Sequence, residues 1–394
     1  MERLAPARER LMVDPANYQG REQALVKHTF LDRYMRDQLM KVGRYGSFTY
    51  VDLFAGPWQS QAADYSDTSF GIALQRMVEA KRALGKVGVD VQLSAHLVEK
   101  ENHEQLREAA SRFSDVRITC YAGAAEDHAE TIARAIPKSS FRFVVIDPKG
   151  LPDPRDFKCL IEPPRTEVLI NFMFDFANRF AGTDRMPKLV DWLSTVAPGP
   201  EWQSSIDKLG PADREDYITD MARTAIARMG GYEYRPAITV DKIESNRALY
   251  KLILLTRHPL GLRVFRDAQA NALEVQAGQR SRIHAEKRIA QTNQGELLAA
   301  AGLTDPGERS ARLLASGRRD AEAHALELIQ GSQEGGILWK ALWTMLLDER
   351  VVTYSALSDA VAGWHKQGKV CIRGLGARAR KPKDEHYITG PRGL

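Results

Sequence analysis

The sequence predicts an α/β protein built on a mostly parallel, three-layer sheet, followed by a smaller C-terminal domain. Three observations predict it. Apolar, β-branched runs alternate with segments of helical periodicity, the pattern of a parallel sheet covered on both faces. Those runs break off at polar residues, Asp52, Glu99, Asp147 and Asn171, as strands do where open α/β sheets bind ligands. The 394 residues, 43% of them hydrophobic, exceed one ordinary domain and supply a sizeable core, so two domains are expected.

An opening helix is expected over Glu22 to Met40, where Leu31, Tyr34, Met35, Gln38 and Leu39 recur at helical spacing. Lys27 and His28 lie near its start, either facing a ligand cleft or forming a surface pair. Phe48 to Trp58, FTYVDLFAGPW, reads as a buried first strand breaking into a tight loop. Asp52 followed by Ala55-Gly56 offers a carboxylate beside a backbone that a ligand can approach closely. A polar loop from Gln59 to Thr68 leads to a helix over Phe70 to Arg82.

The second strand, Val91 to Val98, runs into Glu99-Lys100-Glu101. An acid there can accept hydrogen bonds from ribose hydroxyls, although Glu99 follows Asp52 at about twice the roughly 20-residue interval of the dinucleotide fingerprint. The Tyr65 to Gly88 insertion accounts for the excess; the alternative is a solvated strand end. After a helix over Glu101 to Arg112 and a third strand over Val116 to Tyr121 comes Ala122-Gly-Ala-Ala-Glu-Asp127. Small residues there admit a planar base, and Glu126 or Asp127 could bond an exocyclic amine, while Asp127 equally reads as a helix N-cap.

Phe141 to Ile146 is the clearest strand and ends in Asp147-Pro148-Lys149-Gly150; Thr166 to Phe172 follows, placing Asn171 at the same edge as Asp147. A helical run then extends through Phe180 and Trp192, a helical insertion covers about 181–235, and a late strand, Tyr250 to Thr256, closes at Arg257-His258-Pro259. His258 reads as a structural histidine in preference to a general base.

The expected divisions are residues 1–270, a helical connecting arm over 271–331 and a domain over 332–394. In the last, an apolar helix from Ile337 to Leu347, a second helix opening on the capping Thr353, a strand ending at Arg373, a basic loop and a return at Tyr387-Ile388 give the layout of a winged helix. Arg373, Arg378, Arg380, Lys381 and Lys383 would present cations to phosphates. The net charge of +5 does not by itself indicate nucleic acid; its clustering in this segment does. Basic runs at Arg280 to Arg288 and Arg309 to Arg319 read as solvated surface. No apolar run is long enough for a bilayer and the first residues lack a signal peptide's apolar stretch, so a soluble, cytoplasmic protein is expected. Cys120, Cys159 and Cys371 are isolated, which argues against disulfides and a zinc site, and no metal ligands are assigned.

Taken in order, Lys27-His28, YVDLFAGP at Tyr50 to Pro57, LVEK at Leu97 to Lys100, VIDPKG at Val145 to Gly150, LINFMFDFANRF at Leu169 to Phe180 and YKLILLTRHPLGL at Tyr250 to Leu262 resemble the three-Cys-motif partner proteins, TcmP. The resemblance covers most of the chain. That family is similar to class I S-adenosylmethionine-dependent methyltransferases, which implies a Rossmann-like three-layer sandwich with S-adenosylmethionine as cofactor. The positions implied for cofactor binding are Lys27, His28, Asp52, Phe54, Ala55, Gly56, Glu99, Lys100 and Glu126; for catalysis, Asp147, Pro148, Lys149 and Asn171. The chain departs from the family pattern at Trp58, where a glycine is expected, and at Lys149, where an aromatic is expected.

The acceptor class follows from residues that are present or missing. Cytosine C5 methylation uses a cysteine after a proline, and no Pro-Cys occurs here. Asp147-Pro148 matches the first half of the Asp/Asn-Pro-Pro-aromatic motif of amino-methylating DNA enzymes, and DPKG resembles the DPFG turn of some tRNA guanine-N2 methyltransferases. The expected activity is therefore amino-group methylation of nucleic acid. The competing expectation, favoured by Trp58 and Lys149, is a non-catalytic nucleic-acid-binding or scaffold protein working with a three-Cys-motif partner or in phage defence.

Overall fold

The apolar runs pair into one sheet. In the computed structural model, which describes residues 13–56, 60–148, 150, 152–173, 187–197, 199, 201–206, 208–242, 247–292, 308–332, 335–376 and 378–391, its strands are β1 (Ser47–Asp52), β2 (Gln92–Glu99), β3 (Arg117–Ala122), β4 (Phe141–Ile146), β5 (Thr166–Phe172), β6 (Ala237–Asp241) and β7 (Ala248–Leu255). Their order is β3-β2-β1-β4-β5-β7-β6. The first five are parallel, and β7 runs antiparallel to both β5 and β6. The chain divides into two compact units, Met1–Arg257, which holds this sheet, and His258–Leu394.

Helices cover both faces of the sheet, as continuous apolar strands require. On one face lie α1 (Glu22–Val42) and α2 (Ser69–Gly85); Tyr34 of α1 stacks on Phe143 at 5.1 Å between ring centroids, and Tyr50 of β1 packs beside it. Across that face Arg76 clamps Asp32 through two hydrogen bonds of 2.6 and 2.9 Å, joining α2 to α1. On the other face a second core gathers Val51, Val144, Ile146, Val168 and Ile170 against α4 (Ala125–Ala135), α5 (Lys158–Ile161), α6 (Pro187–Ser194), α7 (Trp202–Ile206) and α8 (Pro211–Gly230). The short α3 (His103–Ala110) packs against β2 and β3. Strand β3 alternates between exposed and half-buried residues, as befits the edge of the sheet, whereas β5 is buried throughout.

Two features of this unit differ from expectation. Helix α4 starts at Ala125 with Ala124 as its N-cap, so Asp127 sits in the first turn, where its charge meets the helix dipole, and does not cap the helix. Strand β6 falls in a stretch to which the sequence pattern assigns no element; five residues, AITVD, carry too short a pattern to stand out beside the proline at 236.

In the second unit, α9 (Pro259–Thr292) and α10 (Arg309–Gln330) pack on each other and on the helices that follow, α11 (Trp339–Glu349) and α12 (Tyr354–Lys366). The run read as one helix from Ile337 opens as a two-residue strand, β8 (Ile337–Leu338), and becomes helical only at Trp339. With β9 (Cys371–Arg373) and β10 (Tyr387–Thr389) it forms an antiparallel sheet of order β8-β10-β9. Gly336 makes the entry to β8 possible: at φ +75°, a Cβ there would fall 2.6 Å from the Ile388 carbonyl oxygen. Thr353 caps α12 through the Ala356 N–H, as read. Among the described residues no helix is long and apolar enough to cross a membrane.

Candidate functional site

Five parallel strands present their carboxyl ends along one edge, and the chain reverses its direction of travel across the sheet between β1 and β4, the crevice where open sheets of this kind take ligands. The loop leaving β1 is held by Asp52. Its carboxylate, fully buried, accepts from Tyr50 Oη at 2.9 Å, Ser69 Oγ at 2.8 Å and the Phe54 N–H at 3.1 Å. Burial nevertheless raises its pKa to about 6, and the Asp147 carboxylate nearby pushes in the same direction.

The backbone donors of that loop's described residues, 53–56, are spent within the protein. Leu53 N–H bonds to Val145 O (3.1 Å), Phe54 N–H to Asp52, Ala55 N–H to Val98 O (2.9 Å) and Gly56 N–H to Phe54 O (2.9 Å). Among the described residues the next helix, α2, starts only at Ser69 with Thr68 as its cap. A pyrophosphate is held by free N–H groups at a helix N-terminus, and residues 53–56 offer none.

Beside it lies a cavity of about 350 Å³, lined by Leu53 and Phe54 from the β1 loop, Val98 to Glu101 from β2, Gly123 to Glu126 before and within α4, and Pro148, Gly150 and Pro152 after β4. Glu99 Oε1 accepts the N–H groups of Glu101 (2.8 Å) and Asn102 (3.0 Å), which fixes the carboxylate at the cavity wall. Gly123, at φ +127°, donates to Glu99 O (3.2 Å), and a Cβ there would crowd His128 Nε2 at 3.2 Å. Among the described residues the lining carries Glu99, Glu101 and Glu126 against Lys100, an acidic balance.

Of the residues read as a site, Phe54, Glu99, Lys100, Glu126 and Pro148 line this cavity. Lys27 instead bonds Asp147 Oδ2, and Asn171 Nδ2 donates to Asp147 Oδ1 at 2.6 Å, so α1, β4 and β5 bring these three together at the same edge. Asn171 Oδ1 is buried and, among the described residues, has no hydrogen-bond partner. His28 turns away from this cluster: Nδ1 meets Tyr18 Oη at 2.8 Å, and burial, with the charges of Lys27 and Arg21, holds its pKa well below the ordinary histidine value. Ala55 is buried and supports the loop with its N–H, as Gly56 does. Lys149, with Pro57 and Trp58, lies outside the described residues. His258 accepts the Leu260 N–H at 3.1 Å in the first turn of α9.

Reading the sequence missed Tyr50 and Ser69, which hold Asp52, and the cavity wall at Glu101 and Pro152. Tyr50 carried a signal, because residues two apart on a strand share a face; Ser69 carried none. In the second unit Arg373, Arg378, Arg380, Lys381 and Lys383 are all exposed, and Lys381 pairs with Asp359 of α12 at 2.5 Å. Compared with models of protein families and with curated proteins, the chain matches none.

Proposed function

We propose that the chain is a class I S-adenosylmethionine-dependent methyltransferase, related to the three-Cys-motif partner proteins that its motifs resemble, and that it methylates an amino group in nucleic acid. The observation that carries this reading is the acidic cavity at the switch point, beside a first loop whose N–H groups at residues 53–56 are satisfied internally. A dinucleotide needs free N–H donors for its phosphates; a cationic nucleoside without phosphates needs carboxylates and small residues, which this cavity has. The reversed β7 beside β5 supports the same reading, since that strand order belongs to class I methyltransferases.

Glu99 would hold the ribose hydroxyls, Gly123 to Ala125 would admit the adenine, and Glu126 would accept from its exocyclic amine. The cofactor, when bound, supplies an electrophilic methyl group. Asp147 would accept a hydrogen bond from the acceptor amine and aim its lone pair, while Lys27 and Asn171 fix the carboxylate. The buried, unpartnered Asn171 Oδ1 offers the second acceptor that an NH₂ group requires. In the second unit, β8, α11, α12, β9 and β10 follow in the order of a winged helix with its basic residues on the wing, which supports a nucleic-acid substrate.

Calorimetry on the full chain with S-adenosylmethionine, its demethylated product and NAD tests the reading. S-adenosylmethionine and its demethylated product are both expected to bind and NAD to bind far more weakly; Glu99→Ala should weaken both by about tenfold or more, as expected for losing charge-assisted hydrogen bonds. Failure of both to bind the wild type sinks the methyltransferase reading. A second reading, a non-catalytic nucleic-acid-binding or scaffold protein, is favoured by one observation: both oxygens of Asp147 are already engaged, by Lys27 and Asn171. It gains if the cofactor binds yet no labelled methyl group reaches DNA or RNA.

A further inference from the structure

The C-terminal sheet has two unlike faces. Ile372 and Ile388 are paired in register and buried in the core of the second unit. One residue along, on the opposite face, Tyr387 pairs with Arg373 on β9 and with Leu338 on β8. Tyr387 is 47% exposed, among the few large hydrophobic side chains that the described residues leave in solvent, and Arg373 is exposed beside it. The loop joining these strands carries Arg378, Arg380 and Lys383, also exposed, and two exposed acids before Tyr387, Glu385 and Asp384, the latter accepting from Trp343 Nε1 at 3.0 Å. An aromatic ring next to a guanidinium, continuous with a row of cations, is what stacks a base and follows its phosphates.

Helix α12 argues against the other way a winged helix meets nucleic acid, with its second helix in the major groove. Its exposed positions include Ser355, Asp359 and Lys366, and Asp359 holds Lys381 at 2.5 Å. An acid in the middle of that face opposes phosphates and base acceptors alike. The excess of positive charge lies on β9 and the loop, where Arg373, Arg378, Arg380, Lys381 and Lys383 outnumber Asp384 and Glu385.

We propose that the face bearing Tyr387 and Arg373, together with the Arg378 to Lys383 loop, binds an unpaired nucleic-acid strand: a base stacks on the Tyr387 ring and the backbone runs along Arg378, Arg380 and Lys383. A duplex keeps its bases stacked on one another and offers none to the ring, so the surface discriminates single strand from duplex. The inference rests on the nucleic-acid part of the function proposed above and narrows its substrate to unpaired strands, RNA or DNA.

Fluorescence anisotropy of the full chain with a fluorescein-labelled single strand, as RNA and as DNA, and with the matched duplexes decides it. At least one single strand should bind more tightly than its duplex. Tyr387→Ala should weaken that binding about tenfold or more, and Tyr387→Phe, which keeps the ring, should restore it. Replacing Arg378 and Arg380 by alanine should flatten the dependence of affinity on salt. Duplexes bound as tightly as single strands, or Tyr387→Ala binding like the wild type, would overturn the proposal while leaving a nucleic-acid substrate standing. No binding to any of these nucleic acids overturns both. Calorimetry without cofactor binding, beside strand binding that depends on Tyr387, removes the methyltransferase reading alone.

Discussion

Asp147→Ala is expected to lower methyl transfer by about two orders of magnitude or more, the scale for misplacing a reacting group, while leaving the affinity for S-adenosylmethionine largely intact. The split follows from position. Asp147 does not line the cavity that Glu99, Gly123 and Glu126 form; it sits at the end of β4, between Lys27 and Asn171. Losing it removes the acceptor for the amine and leaves the half-buried Lys27 ammonium without its counter-ion, but takes nothing from the wall that would hold the nucleoside. Asp147→Asn keeps a carbonyl acceptor and loses the charge, so its loss should be the smaller of the two. Lys27→Ala separates catalysis from scaffolding: in an enzyme it misplaces the carboxylate and slows single-turnover transfer, whereas in a binding protein it changes no rate because there is none. The measurement is single-turnover transfer of a tritiated methyl group to bulk nucleic acid, with calorimetry on the same variants. Asp147→Ala transferring at the wild-type rate would remove the residue from the reaction.

Why Asp52, Glu99, Asp147 and Asn171 were legible as one edge has a simple cause. Parallel strands put every carboxyl end on the same side of the sheet, so polar residues that terminate apolar runs must converge. What each carboxylate does at that edge was not legible. Asp52 is consumed by donors from Tyr50, Phe54 and Ser69 and acts as a fixed post for the loop, while Glu99 reaches the cavity. Lys27 and His28 show the same limit on a helix. Neighbours in sequence point about 100° apart on a helix of 3.6 residues per turn; accordingly Lys27 reaches Asp147 and His28 reaches Tyr18. Adjacency in the sequence made them a pair, and helical geometry separates them. The short strands β6 and β8 were lost for a different reason, since two to five residues cannot establish a period.

Glu167 carried a signal that was passed over, a charged residue inside the apolar run TEVLINF, and it underlies the largest expected effect on stability. It lies on β5, buried, where Tyr34 donates to it, Gln38 Nε2 donates at 2.8 Å and Thr256 Oγ1 at 2.6 Å. Burial raises its pKa from 4.5 to about 7, against the lowering effect of the hydroxyl donors Thr256 and Tyr34. An acid whose folded-state pKa is raised favours the fold while protonated. Its contribution is therefore fully present below about pH 4.5 and is lost as the pH climbs through 7, a loss of about 3 kcal/mol at ~1.4 kcal/mol for each pH unit. Asp52, raised from 3.8 to about 6 by burial, acts in the same direction over a slightly lower window. Asp67 opposes them: burial would raise its pKa, but Ser60, the Gln61 N–H and Arg21 together bring it below the ordinary value, so its contribution is lost toward acid. His28 and His96, which burial holds below the ordinary histidine value, also weaken the fold toward acid, so urea unfolding should find Glu167 itself contributing a downward slope in stability between about pH 5 and pH 8, read as the difference between the wild type and Glu167→Gln. Glu167→Gln keeps the shape and an acceptor for Tyr34 and Gln38, removes the titration, and is expected to flatten that slope and to match or exceed the wild type at pH 8. An unchanged slope in Glu167→Gln would mean that the carboxyl ionises in the folded protein as readily as in the unfolded chain, and that donors from α1 and from Thr256 compensate its burial in full.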